Sequence, residues 1–225
     1  MALALVPLAA AGCGSSKSNS SSAASSAAPP STNAAQQQTN GGCTKTQAPA
    51  PRPSGGEKKP RGKLSPHKTY TVTVDTNCGQ FAFKLDVKQS PDTTAAFAGL
   101  VKRGFFNGLT FHRIVPGFVI QGGDPSGNGQ GGPGFSTVDP PPRNADYVRG
   151  TVAMAKTQTE PAGAAGSQFF VVTGGDAQLP PDYALLGTVT KGMDVVEEIG
   201  RLGDPTDPSG TPSQTVVMKK VTVSP

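Results

Sequence analysis

Arg113 is the residue with the clearest capacity for chemistry. It stands in F-H-R-I-V-P-G-F-V-I-Q-G-G-D, residues 111–124, a charge inside two otherwise apolar runs. A guanidinium is permanently charged and holds several N–H donors in one plane, so it can pin a carboxylate or polarise an amide. In an apolar setting it is either a structural ion-pair member or a functional cation, and residue type alone leaves the two equal. Other chemistries are poorly supplied. A hydrolase needs a nucleophile beside an oriented base. The only histidines are His67 and His112, and no G-x-S-x-G turn occurs. His112 reads as a satisfied structural histidine. G-N-G-Q-G-G at 127–132 fits G-x-G-x-x-G, but P-G-F-S-T and then P-P-P follow, where a dinucleotide site requires a helix. Three Cys and two His without C-x-x-C or H-x-x-x-H spacing suggest no metal centre.

The elements that must position Arg113 read mostly as strand. T-Y-T-V-T-V-D-T from Thr69, the turn Asn77-Cys78-Gly79 and Q-F-A-F-K-L-D-V form a hairpin signal. Ser90-Pro91-Asp92 starts a helix, with Ser at the N-cap, Pro at the first helical position and an acid in the first turn. That helix is predicted over 91–103, with Ala96, Phe97, Leu100 and Val101 inward and Gly104 ending it. Further strands are predicted at 109–115, 117–122, 150–155, 168–173, 184–190 and 214–223, and a second helix at 192–200, where Met193, Val196 and Ile199 share a face. Strand alternation puts Phe111, Arg113 and Val115 on one face. Residues 123–148 form a long Gly/Pro-rich loop, a length usually tied to function or disorder. Eight strands and two helices suit an all-β fold: a closed antiparallel barrel capped by the helices.

Composition divides the chain near residue 67. All thirteen Phe and Tyr lie between Tyr70 and Tyr183. Residues 1–66 carry seven Lys/Arg against Glu57 alone (7 − 1 = +6), and residues 67–225 carry 13 Lys/Arg against 14 Asp/Glu (13 − 14 = −1). The basic character belongs to the tail, so a nucleic-acid-binding folded surface is not expected. Residues 14–66, rich in Ser, Ala, Gln, Pro and Gly, read as a disordered basic linker ahead of a domain at 67–225.

The 111–124 run also resembles, nearly residue for residue, the signature of the cyclophilin-type peptidyl-prolyl cis–trans isomerases. M-A-K at 154–156, G-S-Q-F-F-V-V-T at 166–173 and D-Y-A-L-L-G-T-V at 182–189 resemble that family's other blocks, in order, over about 69–225. The resemblance implies a cyclophilin-like barrel, no cofactor, and proline-containing polypeptides as partners. By position it implies a site of Arg113, Phe118, Val119, Gln121, Ala155, Lys156, Gln168, Phe170, Leu179 and Tyr183. Arg113, Gln121 and Phe118 would be catalytic and the others would bind substrate. Val119 stands where Met is usual in the family, and Gln178 where Trp is often found. Phe118, Val119, Phe170 and Leu179 would hold the proline ring. Gln121 would orient Arg113 or hold the rotating carbonyl, and the Ala155–Lys156 backbone would pair with substrate like an added strand. Phe111, Phe169 and Val171 read as core. The alternative is a non-catalytic module of the cell envelope that binds proline peptides, and a purely structural envelope role is a third reading.

The N-terminus adds an address. M-A-L-A-L-V-P-L-A-A-A-G-C is apolar but too short to span a bilayer. It resembles the end of a signal peptide, and Ala10-Ala11-Gly12-Cys13 resembles a bacterial lipobox. This implies lipid on Cys13 and a monomer anchored to the outer face of the cell membrane. Cys43 and Cys78 then remain as an even pair in an oxidising space. Bonded, they would close a loop of about 35 residues worth roughly 3–4 kcal/mol; two free thiols are the alternative.

Overall fold

A computed structural model describes residues 42–225. The signal-like run, Cys13 and the first part of the expected linker lie outside the described residues.

The hairpin forms as β1 (Thr71–Thr76) and β2 (Gly79–Leu85). Helix α1 (Pro91–Lys102) follows, then β3 (Phe111–Val115) and β4 (Val119–Gly122). The long loop contains β5 (Thr137–Val138) and precedes β6 (Thr151–Met154). The chain continues through β7 (Ala164–Ala165), β8 (Phe169–Val172), β9 (Leu185–Lys191), α2 (Met193–Gly200) and β10 (Met218–Ser224). Eight strands make one antiparallel sheet in the order β10-β1-β2-β9-β6-β8-β4-β3. The two short strands β5 and β7 pair only with each other.

The sheet curls, but it closes less fully than expected. Its edges meet only where the segments ahead of β3 and β10 pair: Thr110 bridges Val217, the Phe111 N–H donates to the Val216 carbonyl at 3.0 Å, and the Gly108 and Met218 N–H groups donate to the Met218 and Leu109 carbonyls at 2.8 Å. Closure is thus local and not a continuous ladder. The interior is filled by phenylalanines. Phe97 of α1 lies 4.6 Å from Phe106, 5.5 Å from Phe169 and 6.0 Å from Phe83 between ring centroids. Ala96, Phe97, Leu100 and Val101 are buried, so the predicted inner face of α1 faces this core. In α2, Val196 and Ile199 are buried and Met193 is half-buried.

Ser90 occupies the N-cap of α1, but its hydroxyl makes no capping bond and is buried without a partner. A carboxylate from the long loop caps the helix instead. Asp139 accepts the Thr93 N–H at 2.7 Å, placing a negative group at the positive end of the helix.

The expected alternation in β3 is broken. Phe111 pairs with Gly122 and Arg113 with Gln121, so His112 is an extra residue on its strand, a β-bulge. The bulge turns Phe111 and Ile114 into the core. Phe111 therefore does not share the face of Arg113 and Val115.

Residues 42–66 depart from the expectation of a free spacer. They run along the barrel as an extended strap. Cys43 and Cys78 form a disulfide. The Thr44 N–H donates to the Asn77 carbonyl, Arg52 N–H to Pro125, Gly55 N–H to Gly132 and Glu57 N–H to Pro133, all at 2.8–2.9 Å. Leu64 packs against the core edge. Low hydrophobicity suggested disorder, but backbone pairing and one covalent bond substitute for apolar burial here.

Candidate active site

The sheet places the site by register. Arg113 of β3 is opposite Gln121 of β4, Gln121 is opposite Phe170 of β8, and Phe170 is opposite Ala153 of β6. Residues directly opposite across a strand pair share a face. Arg113, Gln121, Phe170 and Ala153 therefore form one row across four strands on the outer face. The next row holds Val115, Val119 and Val172. Period-two alternation then explains the Phe169-Phe170 pair: Phe169 enters the main core, and Phe170 joins a second apolar cluster outside it.

That second cluster is built on Val119, Tyr147, Ala153, Phe170 and Val172, with Phe118, Ala155, Leu179 and Tyr183 partly buried against it. Phe170 and Tyr183 meet edge to face at 5.5 Å between centroids. Every apolar residue expected at the site except the stem of Lys156 thus belongs to this patch, and Arg113 stands at the end of its row.

The two readings of Arg113 now separate. None of the ion pairs among the described residues includes it. Its stem is held by the loop before β10: a Cβ added at Gly210 would lie 2.9 Å from the Arg113 Cγ, and the Ile114 N–H donates to the Gly210 carbonyl at 2.7 Å. The stem is supported, while the guanidinium is not consumed by a carboxylate.

Gln121 does not bond Arg113. Its amide donates to Gln168 Oε1 at 3.0 Å. Gln168 in turn donates to the carbonyls of Gly129 and Gly131, both at 2.9 Å. Gln168 is therefore a strut between the site and the glycine-rich loop. The amide N–H of Ala155 already donates to the Gln168 carbonyl at 2.9 Å, so it is not a free donor for an added strand. The Lys156 ammonium is also engaged. It contacts Asp182 at 2.6 Å and donates to the Thr157 and Glu160 carbonyls at 3.1 Å, with its side chain only 4% exposed. It lies 5.7 Å from the Tyr183 ring. Lys156 positions the Tyr183 loop and presents little charge to solvent.

Tyr147 was not among the residues drawn from the sequence. It is 1% exposed. Its hydroxyl donates to the Tyr183 carbonyl at 2.7 Å and accepts the Tyr183 N–H at 2.9 Å. Burial raises its pKa, against the opposing hydrogen bonds. The available signal was a lone tyrosine in a Gly/Pro-rich loop, which does not announce a partner 36 residues away.

The loop after β4 explains the unused glycine motif. Asp124 accepts N–H groups from Ser126 at 2.7 Å, Asn128 at 3.0 Å and Gly129 at 2.6 Å. Burial alone would raise the Asp124 carboxyl, but hydrogen bonds from the Ser126 hydroxyl and from the Ser126, Gly131 and Gly129 amides outweigh it and hold the pKa below the usual value. The loop amides thus enclose their own anion. His112 beneath this loop is not satisfied as expected: both ring nitrogens are buried without partners. Its burial lowers the pKa, Asp124 opposes that and Arg113 adds to it.

The family model for cyclophilin type peptidyl-prolyl cis-trans isomerase/CLD matches residues 71–223. The chain belongs to this family. Among curated relatives, a peptidyl-prolyl cis-trans isomerase of Helicobacter pylori is 37% identical over 135 residues, covering 59% of this chain and 81% of the relative. Peptidyl-prolyl cis-trans isomerase A of Mycobacterium tuberculosis is 33% identical over 177 residues, covering 71% and 95%. A solved cyclophilin of Cryptosporidium parvum, determined in the presence of the dipeptide Ala-Pro, superposes with a TM-score of 0.62 at 30% identity, covering 69% of this chain and 99% of that one. The β-rich, two-helix architecture of this isomerase is that of its structural neighbours.

Proposed function

We propose that this isomerase turns X–Pro bonds on the row from Arg113 to Ala153, and that its clients are secreted or envelope proteins. The carrying observation is the row itself: a guanidinium with no ion-pair partner among the described residues, in register with Gln121 and Phe170 and beside an apolar patch. An X–Pro amide resists rotation by about 18–20 kcal/mol because nitrogen donates its lone pair into the carbonyl. Uncatalysed exchange takes tens to hundreds of seconds. No bond breaks, so the catalyst must bind the twisted amide better than either planar form. Phe118, Val119, Phe170 and Leu179 hold the ring. Arg113 donates toward the proline nitrogen, localising its lone pair, or to the carbonyl that positions the peptide. Gln121, steadied by Gln168, supplies the second polar contact.

The extracytoplasmic setting rests on two features. The Cys43–Cys78 disulfide suits an oxidising compartment. The apolar run ending in Cys13 has the pattern of a lipidated leader, which would anchor the monomer at the outer face of the membrane. Intact mass of the membrane-extracted protein tests the anchor: a mature chain starting at Cys13 with added acyl mass is expected, and an unmodified Cys13 refutes it.

The catalytic assignment is tested by exchange of an Ala-Pro peptide with the full chain. Arg113→Ala is expected to lose at least about tenfold in kcat/KM, equivalent to about 1.4 kcal/mol, with an unchanged unfolding midpoint. Full activity in that variant would sink the assignment.

A further inference from the structure

We propose that Ser54, with the strap that carries it, is a specificity-determining part of this isomerase. The strap walls a groove that continues from the proline pocket and limits the substrate residue that lies there. The proposal rests on the pocket assigned above.

The groove has a volume of about 550 Å³. Its lining includes Gln121, Ala155 and Gln168, which it shares with the site. Glu160 and Ser54 line it as well. Continuity with the site is what commits the occupant: it is the chain flanking the substrate proline. Around Ser54 the groove is also lined by the glycine-rich loop, Gly129 to Gly134. The strap adds a second layer there, and its placement is specific. Gly55 N–H donates to the Gly132 carbonyl at 2.8 Å, and Glu57 N–H to Pro133 at 2.9 Å. The Ser54 hydroxyl accepts the Gly132 N–H at 2.9 Å. At Gly134 an added Cβ would fall 2.9 Å from the Gly55 Cα, so the two backbones touch where no larger residue fits.

The strap is fastened on both sides of Ser54. The Arg52 guanidinium donates to the Phe105 carbonyl and lies 5.5 Å over the Phe105 ring. Glu57 pairs with Arg103 at 3.1 Å. Upstream, the disulfide limits how far the strap can retreat. A wall fixed at three points can exclude bulk without closing over the proline pocket itself.

The test uses the full chain and three sets of peptides. The core peptide has Ala-Pro with one residue on each side. Two longer series carry Trp or Gly at the second and third positions before the proline, or after it. Ser54→Trp is expected to lower kcat/KM at least about tenfold on the Trp peptides of one series relative to their Gly counterparts. The core peptide should stay within about twofold. Arg52→Ala, which loosens the wall, is expected to move the same Trp peptides the other way, by about threefold or more. Amide exchange at Gly55 and Glu57 reports whether the strap is seated. A Ser54→Trp chain with an unseated strap must behave like Arg52→Ala. Unchanged selectivity in either variant, or an equal loss on the core peptide, overturns the proposal. Failure of the pocket assignment looks different: Arg113→Ala would leave exchange of the core peptide unchanged.

Discussion

Replacing Tyr147 by Phe removes one oxygen and keeps the ring that packs 6.4 Å from Phe170 and 5.8 Å from Tyr183. That oxygen makes two hydrogen bonds, both to the backbone of Tyr183. Each such bond contributes about 1 kcal/mol net, and a partner left dry costs about 1–3 kcal/mol. Tyr183 is half-buried, so water reaches part of the exposed backbone. Two dry partners would cost about 2–6 kcal/mol, so the expected destabilisation is about 2–3 kcal/mol, the lower part of that range. For a domain of this size each kcal/mol moves Tm by about 2–4 °C, so Tm should fall roughly 4–12 °C. The Tyr183 ring stands edge-on to Phe170, so its release should also loosen the proline pocket. A threefold to tenfold loss of kcat/KM on an Ala-Pro peptide corresponds to roughly 0.7–1.4 kcal/mol. Denaturant unfolding and an isomerisation assay below the lowered Tm separate the two effects. Stability within about 0.5 kcal/mol of wild type, with unchanged kcat/KM, would refute the idea that Tyr147 fixes the Tyr183 loop.

Two further outcomes follow from the strap and the bulge. Cys43→Ser should lower stability by roughly 3–4 kcal/mol, because the bond spans 35 residues; an unmoved denaturant midpoint in oxidising buffer would contradict this. His112 is held neutral by burial, with its pKa below the ordinary 6.5. The unfolded chain then takes up this proton first, so the stability from His112 is full above about pH 6.5 and is lost as pH falls through the lowered value. His112→Gln should flatten that part of a stability-against-pH curve, and an unaltered slope just below about pH 6.5 would argue against it.

Local signals were enough for both helices and the eight strands of the main sheet, but not for the two-residue strands β5 and β7, and the pocket residues came from the family resemblance. Ser90-Pro91-Asp92 marks the start of α1, and its apolar spacing gives the buried face. Alternation through Phe169-Phe170 separates core from pocket once the strand is known. The bulge at His112 escaped because alternation assumes an unbroken ladder, and only the partner strand shows where a residue is extra. The Asp139 cap escaped for a similar reason: Ser90 was the local candidate, but the carboxylate 46 residues after Thr93 took the role.

The sequence by itself determined which segments form the main sheet, that the basic charge lies in the tail, and that Arg113 is the exceptional charge in an apolar run. These depend on neighbours within a few residues, where propensity and periodicity act. Only the tertiary structure decided that Arg113 has no ion-pair partner among the described residues, that Tyr147 holds Tyr183, and that a stretch of apolar-poor tail becomes a strap on the barrel. Those outcomes depend on bonds between distant residues, such as Gly55 with Gly132 and Cys43 with Cys78. No local pattern encodes them, because their free energy exists only once the sheet has brought the partners together.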